Sequence, residues 1–362
     1  MSLIHPAPGL FDQNNLETLG LKVIAGEHAL LYKASAEGMK YCHHPHLGIF
    51  QDTLYAMWST GPTDEDSAGQ HVVFSRSQDG KTWSPPRVLV PDPDGPSGPL
   101  RATAGGWWAH GDRMLAYYSV FAEARANPQQ KWSDLMRLEA MTTTDGLRWS
   151  EPRVVLKDFM INEAPRPLAS GRLLMTGENQ RGIPRLLISS SQDGLQDWND
   201  TILPLPSLAR DPNEPTWYTR ADGKIVMLFR DDNGSRRLYA SLLNDSQTSW
   251  SMPVKTAYTD AVAKARAGNL PDGTAYIISN PGVKAGRAIL TIATSADGML
   301  FDRAFIVRSE PTRGVYQGMA KGPGYQYPNS LVRNGWLHVI YSVNKEDVMV
   351  TRIRMNDLLM RR

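Results

Sequence analysis

Three histidines, His43, His44 and His46, fall within four residues in the segment Tyr41-Cys-His-His-Pro-His46. Imidazole has the side-chain pKa nearest neutrality, so a histidine at a pocket mouth suits proton transfer at working pH. The same rings can ligate a metal, but cysteine and carboxylate companions at ligand spacing are not evident, and no metal is expected. Arg166, Arg230 and Lys264 are cations able to hold a substrate carboxylate, the arginines in a bidentate fork. Tyr325 and Tyr327, in Tyr325-Gln-Tyr327, offer phenolic protons, and Glu163 and Glu214 offer a carboxylate pair.

These residues are spread over some 280 positions, so the elements that gather them must be repeated. Four segments share the pattern Ser/Thr-x-Asp-Gly, closed by an aromatic residue: Ser75–Trp83, Thr142–Trp149, Ser189–Trp198 and Thr294–Phe301. A fifth, Ser241–Trp250, is degenerate. The aspartate bonds backbone amides in a tight turn, the glycine supplies a positive φ, and the aromatic tucks under the turn. Asp79, Asp145, Asp193, Asp245 and Asp297 are 66, 48, 52 and 52 residues apart. This resembles the aspartate-box repeats of sialidases and related propeller enzymes. Hairpins accompany the boxes, for example Thr216–Phe229 and Leu331–Tyr341. Six begin near His46, Thr103, Pro167, Thr216, Ala265 and Asn329. The fold expected is all-β: one closed propeller of four-stranded blades over residues 1–362, with Leu21–Tyr32 supplying the last outer strand and removing sheet edges.

Topology then places the chemistry. Where strand A lines the channel, the D–A and B–C connections emerge on one face and the boxes, as C–D turns, on the other. The D–A entries carry His43 and His44, Arg101, Glu163 and Arg166, Glu214, Lys264, and Tyr325 and Tyr327. The B–C loops add Asp64-Glu-Asp66, Glu178-Asn-Gln-Arg181, Arg230-Asp-Asp-Asn233, Arg287 and Asn344-Lys-Glu-Asp347. Such a ring forms a polar pocket. The boxes are expected to be structural.

Bulk properties remove other classes. The 39 basic and 37 acidic residues leave a net charge of +2, which argues against nucleic acid as a partner. No apolar run reaches the length of a membrane span. The single cysteine, Cys42, precludes an internal disulfide framework. Met1–Gly9 lacks a basic segment followed by an apolar one. The expected location is cytoplasmic, or periplasmic or secreted if a leader was removed. No cofactor is expected, a structural Ca²⁺ being the one option left open, and the expected partner is an oligosaccharide or polysaccharide. The oligomeric state is not legible.

Tyr41-Cys-His-His-Pro-His-Leu-Gly-Ile-Phe50, Tyr55-Ala-Met-Trp-Ser59, Asn213-Glu-Pro-Thr-Trp-Tyr218, Leu228-Phe-Arg-Asp231 and Tyr325-Gln-Tyr-Pro-Asn-Ser330 resemble propeller enzymes acting on α-L-rhamnose linked 1,4 to D-glucuronate. The resemblance runs from about residue 28 to 355. It implies seven blades and an essential histidine at the His43–His44 pair. Elimination from a uronate needs a base for the C5 proton, cations for the carboxylate and an acid for the leaving oxygen. His43 or His44 fits the first role; Arg166, Arg230 and Lys264 the second; Tyr325 or Tyr327 the third. Trp107 and Trp217 are candidate sugar-stacking platforms. Hydrolysis would instead use Glu163 or Glu214. Sialidase chemistry would need a Tyr–Glu nucleophile, an Asp acid and an arginine triad, for which Arg101, Arg166 and Arg230 are available, although no Arg-Ile-Pro segment stands near the N-terminus. A sugar-binding propeller without catalysis is the third alternative.

Overall fold

The computed structural model describes residues 3–95, 98–122 and 136–359. Six antiparallel blades form a β-propeller. Blade 1 comprises Tyr41–Phe50, Thr53–Gly61, His71–Ser77 and Arg87–Val90 as strands A to D. Blade 2 comprises Gly98–His110, Arg113–Ala122, Arg137–Thr143 and Arg153–Lys157. Blade 3 comprises Met160–Pro167, Leu173–Glu178, Pro184–Ser189 and Trp198–Asp200. Blade 4 comprises Asn213–Thr219, Ile225–Arg230, Arg237–Leu242 and Val254–Thr259. Blade 5 comprises Arg266–Asn269, Ala275–Ser279, Leu290–Ser295 and Arg303–Arg308. Blade 6 comprises Tyr325–Arg333, Trp336–Val343 and Asp347–Arg354, with Gly26–Tyr32 paired to the third strand in the register His28↔Thr351. The seven blades implied by the rhamnose–glucuronate resemblance are therefore not formed. Gly26–Tyr32 is consumed as the outer strand of blade 6, and the four-stranded blades among the described residues number six.

The B strands read as continuous apolar runs, such as Ile225-Val-Met-Leu-Phe229, because neighbouring blades cover both of their faces. Six large apolar clusters follow, one at each interface between successive blades. Met57, Phe74 and Tyr118 join blades 1 and 2, and the ring closes where Cys42 and Trp58 of blade 1 meet Ile340 and Val350 of blade 6.

The aspartate boxes pin these interfaces. Asp79 Oδ1 accepts from the amides of Lys81 and Thr82, each at 2.8 Å, and Asp145 does the same for Leu147 and Arg148. Asp297 accepts from Met299 and Leu300, and Asp193 from Leu195. The box glycine does more than turn the chain. Gly146 has φ +68° and a β-carbon there would overlap Tyr55 Oη of blade 1; a β-carbon on Gly194 would likewise overlap Tyr117 Oη of blade 2, though less severely. Tyr117 and Tyr218 donate to the carbonyls of Gly194 and Gly298 at 2.7 and 2.6 Å. Each box glycine is thus the seat for a side chain of the preceding blade. The degenerate box of blade 4 substitutes Asn244, whose side-chain oxygen accepts from the amides of Thr248 and Ser249. None of the four box aspartates lines the site cavity described below.

Candidate functional site

The A strands carry the irregularities that build the site. Pairing between strands A and B slips at His43/His46 in blade 1, at Asn213/Thr216 in blade 4 and at Gln326/Asn329 in blade 6. At each slip one non-glycine residue has a left-handed backbone: His44 (φ 51°), Glu214 (φ 49°) and Tyr327 (φ 54°). Such conformations cost on the order of 1–3 kcal/mol each and persist only where the surroundings impose them. A bulge re-aims a side chain that regular alternation would bury between blades. All three of these residues line one cavity of about 220 Å³, together with Glu65, Glu178 and Lys264.

Tyr327 is the hub. Its hydroxyl donates to Glu214 Oε1, while Arg230 Nη1 reaches Glu214 Oε2 at 2.8 Å and the Tyr327 oxygen at 3.4 Å. Arg230 Nε also bonds Asp232 at 2.8 Å. Three more cations surround the phenol: Lys264 Nζ is 5.5 Å, the Arg287 guanidinium 5.8 Å and Lys345 Nζ 6.0 Å from the ring centroid. The rings of His43 and His44 lie 4.0 and 5.3 Å from that of Tyr327.

The field sets the charge states. Burial disfavours the Glu214 carboxylate, but Arg230 and Lys264 outweigh it and bring its pKa to about 2. Burial, reinforced by Glu214, holds the Tyr327 phenol well above its ordinary value, so the shared proton stays on the tyrosine. Burial and the Glu214 charge raise Glu178 to about 7 against the pull of Lys264. Burial brings His44 down to about 4, with Glu65 opposing, and holds His43 well below its ordinary value with help from Lys345. Both imidazoles are neutral at pH 7.

Among the described residues, one group has the donor set for a metal: His43, His44 and Glu65, whose ligand atoms lie within 4.8 Å of one another. Glu65, however, is bonded by Lys345 at 2.5 Å, a charge that opposes a divalent ion at the same carboxylate.

The sequence-derived candidates separate into two groups. His44, Glu214, Arg230, Lys264 and Tyr327 come together. His43 is fully buried behind them, with Nδ1 2.7 Å from the Ser342 hydroxyl. The other candidates lie elsewhere. Arg166 does not converge with Arg230 and Lys264: it sits four residues beyond Asn162 along strand A, pairs with Glu163 at 2.8 Å and stacks on Trp217 at 4.1 Å, bordering a different channel cavity of about 240 Å³. Glu163 is bound between Arg166 and Arg266, so it is not a free partner for Glu214. Trp217 and Trp107 are 5% and 7% exposed, packed in blade interfaces, and present no face to the site cavity. Arg101 is buried and donates to the carbonyls of Asp66 and Pro99. Tyr325 turns away from the channel, donates to Glu310 at 3.0 Å and packs edge-on against Tyr341. Glu65, Glu178, Arg287 and Lys345 were within reach of the B–C loop rule, but nothing in the sequence shows which loop side chain turns inward.

Residues 52–339 match the family model of the BNR repeat-like domain. The chain belongs to that family. No curated protein matches it in sequence. Among solved structures, this BNR repeat-like domain is similar to a sialidase, with a TM-score of 0.72 at 19% identity. The match covers 97% of this chain and 35% of that one, so the domain spans about a third of that protein's length. It is also similar to Trypanosoma rangeli sialidase (TM-score 0.69, 12% identity, covering 92% of this chain and 60% of that one). A third similar structure is a protein of unknown function from Dyadobacter fermentans (TM-score 0.69, 15% identity, covering 91% and 98%). At these identities the likeness is one of fold: a sialidase-like propeller.

Proposed function

We propose that this BNR repeat-like domain is a retaining exo-glycoside hydrolase that removes a terminal sugar bearing a carboxylate, with a sialic acid as the first candidate. The observation that carries the reading is the hydrogen bond from Tyr327 to Glu214 inside a ring of cations. Tyr327 Oη attacks the anomeric carbon as its proton passes to Glu214, forming a tyrosyl–glycosyl bond. A carboxyl group protonates the departing oxygen. Glu178 suits that task, since Glu65 is held as a carboxylate by Lys345 while Glu178 keeps its proton to about pH 7. Water then cleaves the glycosyl–tyrosine bond, with Glu178 as base and Glu214 returning the proton to Tyr327. Arg230, Lys264 and Arg287 supply positive charge for the sugar carboxylate. The sialidase names of the similar structures favour this substrate class.

A second reading is lytic cleavage of rhamnose-α-1,4-glucuronate, favoured by the two neutral imidazoles flanking Tyr327. There His44 removes the C5 proton and Tyr327 protonates the leaving oxygen. Incubation with an α-sialoside and with rhamnose-capped arabinogalactan separates the two. Release of free acidic sugar without new ultraviolet absorbance supports hydrolysis. An absorbing unsaturated uronate supports the lyase. No product from either substrate overturns both and leaves a sugar-binding role.

A further inference from the structure

The site cavity, at about 220 Å³, accommodates a single sugar ring, so the remainder of a glycan has to lie outside it on the same face. The connection from strand D of blade 5 to strand A of blade 6, residues 309–324, emerges there. Its backbone is fixed from below: Glu346 accepts from the amides of Val315 at 2.9 Å and Tyr316 at 2.7 Å, and Asp64 accepts from that of Ala320 at 3.1 Å. Gly318 packs directly on the Asp64 carboxylate, next in sequence to Glu65, which lines the site cavity. The connection thus begins at the rim of the catalytic pocket. It encloses an open cavity of about 810 Å³, lined by Val315, Tyr316, Gln317, Met319, Lys321 and Asn344 among others. Val315 and Met319 are 70% and 87% exposed, the most exposed of the large apolar side chains on the described residues.

We infer that this connection forms a leaving-group subsite, binding the neutral sugar on the far side of the scissile bond. The inference rests on the hydrolase reading above. A pyranose presents an apolar C–H face and an edge of hydroxyls, and the cavity pairs Tyr316 and Met319 with Gln317 and Asn344. The occupant is neutral because the cation that lines the cavity is already matched: Lys321 Nζ lies 3.7 Å from Glu346. A preformed, anchored loop binds without ordering cost, which suits a surface that must grip one sugar and release it.

The test compares two substrates that share a donor sugar and differ in what leaves. Tyr316→Ala and Met319→Ser should raise KM for sialyllactose about five- to tenfold, the range of one aromatic contact, and leave turnover of sialyl fluoride unchanged. Equal effects on both substrates, or none on either, overturn the subsite. If the wild-type protein cleaves neither, the hydrolase reading has failed, and saturation-transfer NMR with lactose decides the subsite separately. Saturation of lactose by the wild-type protein that is lost in the double variant supports it; no saturation by the wild-type protein overturns it.

Discussion

Tyr327 of blade 6 donates its hydroxyl hydrogen to Glu214 of blade 4, and both residues hold left-handed backbones to do so. Together the two bulges bring two polar side chains from separate sheets to one point beside Arg230.

Tyr327→Phe and Glu214→Gln should each lower turnover by about 10²-fold or more, the range for loss of a positioned acid–base or nucleophilic group. Melting temperatures should stay close to wild type, because Arg230 keeps Asp232 as a partner. Steady-state rates and thermal melts on the two variants check this. A variant that unfolds, or one that stays active, contradicts the assignment.

The pH profile should report Glu178. Its folded pKa of about 7 lies above the usual carboxylate value, so the protonated acid is present below that pH and is lost above it. The rate of glycosidic cleavage should therefore fall as pH rises through about 7. Glu178→Gln should abolish that alkaline limb and lower turnover; a glycosyl fluoride, whose leaving group needs no proton, should still glycosylate Tyr327 in a single burst, with turnover staying slow because Glu178 is also the base for the second step.

His44 governs acid stability with the opposite sign. Its folded pKa of about 4 lies below its ordinary 6.5 because burial disfavours the cation. The unfolded chain binds the extra proton first, so stability is present above pH 6.5 and is lost as pH falls toward 4. His44→Gln should flatten the dependence of the urea midpoint on pH across that window; an unchanged slope would refute the assignment.

Gly146→Ala should destabilise the propeller by more than about 1 kcal/mol, since the new methyl meets Tyr55 Oη at a positive φ. Adding Tyr55→Phe removes that oxygen and should restore part of the loss. Chemical denaturation of the single and double variants measures the coupling. Additive effects would mean that the glycine acts through φ alone.

The sequence by itself determined the propeller and the face that bears the site. Aspartate boxes at near-regular spacing and alternating hairpins are local signals: Asp79 bonds amides two and three residues ahead, and the apolar B strands announce burial on both sides. The antiparallel order of four strands then dictates which loops share an end, which is why His44, Glu214, Arg230, Lys264 and Tyr327 could be named together. Which side chain in each segment faces the channel was decided only in three dimensions. Tyr325 and Tyr327 sit on the same side of a regular strand, yet a bulge sends one to Glu310 and the other to Glu214. Arg166 stands one turn of pleat too far along its strand and joins Glu163 and Trp217 instead. The pKa values of Glu178 and His44 were equally out of reach, because they arise from burial and from charges that only the fold brings close: Glu214 and Lys264 of other blades beside Glu178, and Glu65 from the B–C loop of its own blade beside His44.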